Sequence, residues 1–261
     1  MSTGKGRGRE VLLYLAIKHH GEWESILNAL EKKEYIDEEE LQRVISVNRA
    51  NYVTIIDDDY PEDLKKIYKP PFILFYYGNY DLLRLPRLAV VGSRKCTEYG
   101  KKSVKKVIQE LQSQLVIVSG LAKGIDATAH LTAIETKAPT IAILGSGIDL
   151  CYPKENQKIY DYIKENGLLI SEYPLDTAPN QYHFPTRNRL IAALSKATLV
   201  VEASEKSGTA YTIQAPLEFG KDILCIPHSI FNEHHYTNRL IREGAILIEK
   251  GQDILEEFKL E

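Results

Sequence analysis

Leu88-Ala89-Val90-Val91-Gly92-Ser93-Arg94 is the stretch on which the fold turns. Four apolar residues run without a polar break, small residues and a cation follow, and residues 99–111 continue with helical spacing. A strand with one wet face alternates apolar and polar side chains. An unbroken apolar run belongs to a strand covered on both faces. The pattern then repeats. Apolar runs at 116–118, 140–144, 168–170, 199–201 and 223–226 alternate with helix candidates at 125–137, 155–166, 188–194 and 209–219. Strands separated by amphipathic helices build a parallel sheet covered on both faces, with right-handed crossovers. The fold class is therefore α/β, a doubly wound, mostly parallel sheet.

Residues 52–56 and 72–77 read as two further strands. Between them lies the turn Asp57-Asp58-Asp59-Tyr60-Pro61, where Pro61 suits a first helical position. Residues 237–249 give a helix and a last strand, and 253–259 a short helix. The start of the chain differs. Val11, Leu12, Leu15 and Ala16, then Trp23, Ile26, Leu27 and Leu30, then Leu41, Val44 and Ile45 recur at helical spacing, and Asp37 with Glu40 marks a helix start. The expected organisation is a small all-helical domain over 1–48 and an extended α/β domain over 49–261.

The 261 residues are 44% hydrophobic and 26% charged, as in an ordinary globular chain. No apolar run approaches the roughly 20 residues that span a bilayer. The polar, basic stretch Met1–Arg9 is not a secretory leader, so a cytoplasmic location without membrane contact is expected. Cys96, Cys151 and Cys225 lie far apart and read as reduced thiols. The formal net charge is −3, so any nucleic-acid site must be a local patch.

In an open parallel sheet, ligands bind at the carboxyl ends of the strands. There stand Gly92-Ser93-Arg94, then Ser119-Gly120-Leu121-Ala122-Lys123-Gly124-Ile125-Asp126, then Gly145-Ser146-Gly147, and then Glu202-Ala203 with Ser207-Gly208. Exposed backbone N–H groups at such turns suit a phosphate. Tight strand-to-helix turns also need glycine for geometry alone. Each loop by itself reads either way, and four on one edge point to a ligand. The first loop is not G-x-G-x-x-G, and no P-loop is present.

Arg94 stands where a nucleotide loop has only small residues, and its planar fork suits phosphate. Lys101, Lys102, Lys105 and Lys106 share a helix face, either prolonging a cationic path or simply solvated. Phe184-Pro185-Thr186-Arg187-Asn188-Arg189 is the second cluster. Pro185 holds its neighbour extended, and helix follows. Arg187 and Arg189 near a helix start oppose the macrodipole, which argues against a purely structural role. Tyr182, His183 and Phe184 either stack bases or cover the sheet edge. Lys154 either extends the track or is solvated.

Catalytic signals are weak. There is no G-x-S-x-G. His228, Glu233, His234 and His235 lack metalloprotease spacing. Asp126 and Glu202 at strand ends read first as helix caps or partners of backbone amides. No catalytic residue, metal or cofactor is expected.

Read in order, the motifs resemble the DprA/Smf DNA-processing family. The matching stretches are Gly92-Ser93-Arg94, residues 119–126 with Ala129-His130, residues 144–149 with Tyr152-Pro153, Ser171-Glu172-Tyr173-Pro174, residues 184–189, and Val200-Val201-Glu202-Ala203 with Ser207-Gly208. The similarity runs from about Asn51 to Ile248. It implies a Rossmann-like domain, preceded in some members by a helical module resembling a sterile alpha motif. It implies a non-enzymatic protein that binds and protects single-stranded DNA in transformation, helps load the RecA recombinase, and dimerises through the Rossmann-like domain. By matching, DNA contacts fall to Gly92, Ser93, Arg94, Ser119, Gly120, Lys123, Gly145, Lys154, Phe184, Arg187, Asn188, Arg189, Ser207 and Gly208. The chain departs from the family at Pro227-His228, Tyr236-Thr237-Asn238, residues 209–213 and Ala193, and the winged-helix-like domain many members carry is not expected in it. The other reading is a nucleotide-binding or nucleotide-hydrolysing enzyme or sensor of a related Rossmann-like family, with Asp126, Glu202 and Ser207-Gly208-Thr209 at its site. Its usual P-G-G-x-G-T-x-x-E is absent.

Overall fold

The computed structural model describes residues 2–203, 220–231 and 235–260. In chain order its elements are α1 (Ser2–Lys18), α2 (Trp23–Glu31), α3 (Glu38–Val47), β1 (Asn51–Thr54), α4 (Glu62–Lys65), β2 (Ile73–Gly78), β3 (Arg87–Val91), α5 (Glu98–Glu110) and β4 (Val116–Ser119). Then come α6 (Ile125–Glu135), β5 (Thr140–Leu144), α7 (Gln157–Asn166), β6 (Leu168–Ser171), α8 (His183–Ala193), β7 (Ala197–Val200), β8 (Asp222–Cys225), α9 (Tyr236–Arg242), β9 (Ile246–Leu247) and α10 (Gly251–Phe258). The candidate helix at 209–219, with Ser207, Gly208, Glu233 and His234, lies outside the described residues.

Every residue of β4, β5, β6 and β7 is buried. That is the physical meaning of the unbroken apolar runs. Successive side chains of a strand point to opposite faces. Ala89 and Val91 of β3 accordingly pack with Leu190 and Leu194 on one side of the sheet. Leu88 and Val90 pack with Val104, Ile108 and Ile125 on the other. Each fully buried valine, leucine or isoleucine among them contributes about 1.5–3 kcal/mol.

The strands form one nine-stranded sheet, order β1-β2-β6-β5-β4-β3-β7-β8-β9. β1 with β2 and β2 with β6 are antiparallel, and the other pairs are parallel. From β3 the chain steps outward through β4, β5 and β6, then crosses back to place β7 on the other side of β3. The switch point lies between β3 and β7, where ligands gather in doubly wound sheets.

α1, α2 and α3 precede the sheet. Asp37 starts α3 by accepting from Glu40 N at 2.9 Å. Leu13, Ile26 and Leu41 share one apolar cluster with Phe75, Ala142 and Leu144 of the sheet. Trp23 Nε1 donates to Pro70 O at 2.8 Å, and its ring stacks on Phe72.

α8 begins at His183, five residues before the start expected from the sequence. Pro185 falls in its first turn, where a backbone N–H has no intrahelical partner to lose. Phe184 is thus helical rather than extended. Among the described residues, no helix is long and apolar enough to cross a membrane.

Candidate nucleic-acid interface

Thr97 caps α5, its Oγ1 accepting from Gly100 N at 3.3 Å. Glu202, just past β7 and wholly buried, accepts from Thr97 N at 2.8 Å and from Thr97 Oγ1 at 2.5 Å. A Cβ on Gly100 would come within 2.5 Å of Glu202 Cδ, so only glycine allows the carboxylate this close to the first turn of α5. A helix start at the switch point is where a nucleotide phosphate sits. Here the protein's own carboxylate holds that place. His228 closes the corner. Its Nε2 lies 2.9 Å from Val201 O and 3.9 Å from Glu202, and its ring meets Tyr99 edge-on with centroids 4.7 Å apart. Among the described residues, no three His, Cys, Asp or Glu side chains gather as a metal would need.

The loop after β4 is also satisfied from within. Ser119 is fully buried, and its hydroxyl donates to Val90 O at 2.7 Å, stapling β4 to β3 rather than reaching the edge. Gly120 N and Ala122 N donate to buried Asp126 at 3.2 and 3.4 Å. Burial pushes the Asp126 carboxyl up, while Arg187, those two amides and Arg94 pull it down.

Arg187 of α8 runs beneath this loop and is 3% exposed. Its Nη1 donates to Gly120 O at 2.6 Å and also to Ile143 O, and its Nε to Asn188 Oδ1 at 3.0 Å. A Cβ on Gly120 would strike the guanidinium. Burial, with Asp126 opposing and Arg94 adding to it, lowers Arg187 to about 10, so it remains a cation at neutral pH.

Above Arg187 the edge opens. Arg94 is exposed, and its guanidinium lies over the Phe184 ring at 5.3 Å. Phe184 stacks on Tyr152 at 5.5 Å between centroids and packs onto Gly145, where a Cβ would come within 2.8 Å of it. Tyr152 is 48% exposed. Arg94, Phe184, Tyr152, Lys123 and Arg187 line one pocket open to solvent. Lys123 is neutralised by Glu155 at 2.5 Å. Among the described residues, neither Arg94 nor the exposed Lys154 has a carboxylate within ion-pair reach.

Not every candidate faces this pocket. Arg189 pairs with buried Glu172. Arg187 and Arg189 lie one turn into α8, beyond its positive end, and both are engaged by protein groups. The macrodipole argument against a structural role therefore fails for this pair. His183 is buried, stacked on Tyr173 at 3.9 Å, with Nε2 3.2 Å from Glu22. Tyr182 is 72% exposed. On α5, Lys101 pairs with Glu98 at 2.7 Å and Lys106 donates to Glu249 O at 2.9 Å, so that face is partly neutralised. Gly92 lies against Ile125 and Glu202 O, and Ser93 Oγ accepts from Lys95 N at 3.1 Å, which folds the Arg94 loop back on itself. Tyr152 was not singled out as a ring partner of Phe184; its place in Tyr152-Pro153, after the third loop, was the available signal.

Residues 51–259 match the family model of DNA recombination-mediator protein A. The chain belongs to that family. The DNA processing protein DprA of Streptococcus pneumoniae is 49% identical over 211 residues, 79% of this chain and 73% of the relative. DprA of Bacillus subtilis is 39% identical over 224 residues, 84% of this chain and 75% of the relative. Among solved structures, the S. pneumoniae DNA processing protein A superposes with a TM-score of 0.82 at 44% identity, covering 89% of this chain and 81% of that one. The Helicobacter pylori DNA processing protein A, described for its single-stranded DNA binding mode, gives 0.73 at 31% identity, covering 81% and 97%. The Rossmann-like fold and the DprA/Smf resemblance both hold.

Proposed function

We propose that this member of the recombination-mediator family binds single-stranded DNA along the edge marked by Arg94, Phe184 and Tyr152. The observation that carries the reading is Arg94 itself: an exposed cation with no carboxylate of the described residues in ion-pair reach, seated on an aromatic pair, with a buried second arginine behind it. A flexible strand offers phosphates to Arg94 and Lys154 and bases to the Tyr152–Phe184 face. Stacking contributes about 1–3 kcal/mol per base, and phosphate contacts carry no sequence information, so binding is sequence-tolerant. Arg187 supports the pocket from below. Ser207 and Gly208 belong to the proposal on sequence grounds alone.

In this reading the α/β domain over 49–261 carries the strand, pairs with a second copy, and delivers DNA to RecA in the cytoplasm, during recombination and transformation. Residues 1–48 are its helical appendage. The protein acts by binding, not catalysis. Asp126 and Glu202, the carboxylates a nucleotide hydrolase would use, both hold backbone amides. Filter binding to an oligothymidylate at low salt tests the proposal. Saturable retention is expected, and no retention ends it. Incubation with nucleoside monophosphates should release no free base, whereas release dependent on Glu202 would favour the hydrolase.

A further inference from the structure

Three adjacent parallel strands each begin behind a cation. Arg87 opens β3, Lys196 stands just before β7, and Lys221 just before β8. The register pairs Leu88 with Ala197 and Ala197 with Asp222, so the three residues form one row across the amino edge of the sheet. Neighbouring strands are about 4.8 Å apart, which sets the spacing of the row. It lies at the opposite end of the strands from Arg94.

The plain explanation is a helix cap, because α8 ends here. Arg87 donates to Leu194 O and to Leu83 O, and to Leu85 O at 3.0 Å. Lys221 donates to Ala193 O and to Ser195 O at 2.7 Å. Lys196 donates to Phe258 O at 3.1 Å. Cations are favourable at a helix C-terminus, but that end carries only about half a negative charge. Arg87 and Lys221 put two full positive charges against the end of α8, while Lys196 faces the end of α10, its ammonium also 4.8 Å from the Phe258 ring centre. Asp63, 3.8 Å from Arg87 Nη2, is the one carboxylate lining this pocket among the described residues. Among the described residues the positive charge therefore exceeds the negative. Burial, with Arg87 and Lys66 adding to it, holds the Lys221 ammonium below its ordinary value, with Asp63 opposing.

A second observation is independent of charge. Ser195 lines the same pocket, is 1% exposed, and its hydroxyl has no hydrogen-bond partner among the described residues. Buried hydroxyls are nearly always satisfied, and an unmet one is costly. After the carbonyl bonds are counted, Lys196, Lys221 and Arg87 Nη2 still have donors to spare. Spare cationic donors gathered around a pocket open to solvent, outnumbering its Asp63 carboxylate among the described residues, fit an oxyanion.

We propose that the row Arg87–Lys196–Lys221, with the Ser195 hydroxyl, is a phosphate-binding site separate from the Arg94 edge. Its ligand is a phosphate or diphosphate group, carried either by a free metabolite or by a passing nucleic-acid strand. The inference does not rest on the single-stranded DNA reading and stands or falls apart from it.

Titration calorimetry of the full chain with pyrophosphate tests it. Saturable binding is expected. Lys196→Gln should weaken it about tenfold, the loss of one charge-assisted contact. Arg94→Ala should leave it unchanged. Ser195→Ala is the second variant, expected to weaken binding without removing a charge, and urea midpoints check that both variants fold. Repeating the titration with saturating oligothymidylate identifies the source: displacement of pyrophosphate assigns the site to strand phosphates, and retention assigns it to a free ligand. No binding, or binding untouched by Lys196→Gln and Ser195→Ala but lost in Arg94→Ala, overturns the proposal.

Discussion

Two corners of the same sheet edge look alike in sequence and differ in what fills them. At the start of α5, glycines and a threonine open a helix at the switch point, and Glu202 occupies the anion position. Between α6 and α8, glycines open a similar loop, and Asp126 takes its amides while Arg94 stays exposed above. Both corners carry small residues for the same reason, close approach of another group: Gly100 to Glu202, Gly120 to Arg187, Gly145 to Phe184. Small loops therefore mark tight packing in both places. What separates a filled corner from a usable one is unbalanced charge, which the α5 corner lacks and the Arg94 corner keeps.

The comparison breaks most visibly at Arg187. Replacing it with alanine strands the Gly120 and Ile143 carbonyls and leaves Asp126 without its buried counter-charge. Loss of one partner of such a pair costs about 3–5 kcal/mol, read as a lower urea midpoint. Glu202→Ala should cost about 3 kcal/mol, since two hydrogen bonds to a charged group are lost. It also sharpens the contrast: with the carboxylate gone, inorganic phosphate should raise the melting temperature of the variant more than that of the parent. A variant that gains nothing from phosphate would show that the α5 corner is not an anion position at all. Phe184→Ala comes next. It should weaken oligothymidylate binding by about 1–3 kcal/mol, the range for one stacked base. An unchanged affinity would leave the Tyr152–Phe184 face as mere cover for the sheet.

Most of the architecture was legible in the sequence because burial on both faces writes itself as unbroken apolar runs. The expected strand at 140–144 coincides with β5, and the others shift by a residue or two. The start of α8 was not legible. The rule that proline holds its neighbour extended is local, and the first turn of a helix is where it yields. At the candidate site, the sequence pointed to one edge of the sheet but not to the division of labour along it. Ser119, Arg187 and Arg189 turn their side chains to protein groups where Arg94 turns its to solvent, and no spacing rule records that. Glu202 was readable as an amide partner, yet nothing in the chain says that its amide belongs to Thr97, more than a hundred residues earlier.

The most direct measurement is the salt dependence of oligothymidylate binding, parent against Arg94→Ala. Each phosphate contact on a single strand contributes a slope of about −0.7 in log affinity against log salt. Arg94 is exposed and bonded to no carboxylate, so its removal should leave the urea midpoint in place, lower affinity for every sequence alike, and flatten the slope by about 0.7. An Arg94→Ala protein that binds the strand with the parent's affinity and slope would contradict the assignment of this edge to the phosphate chain.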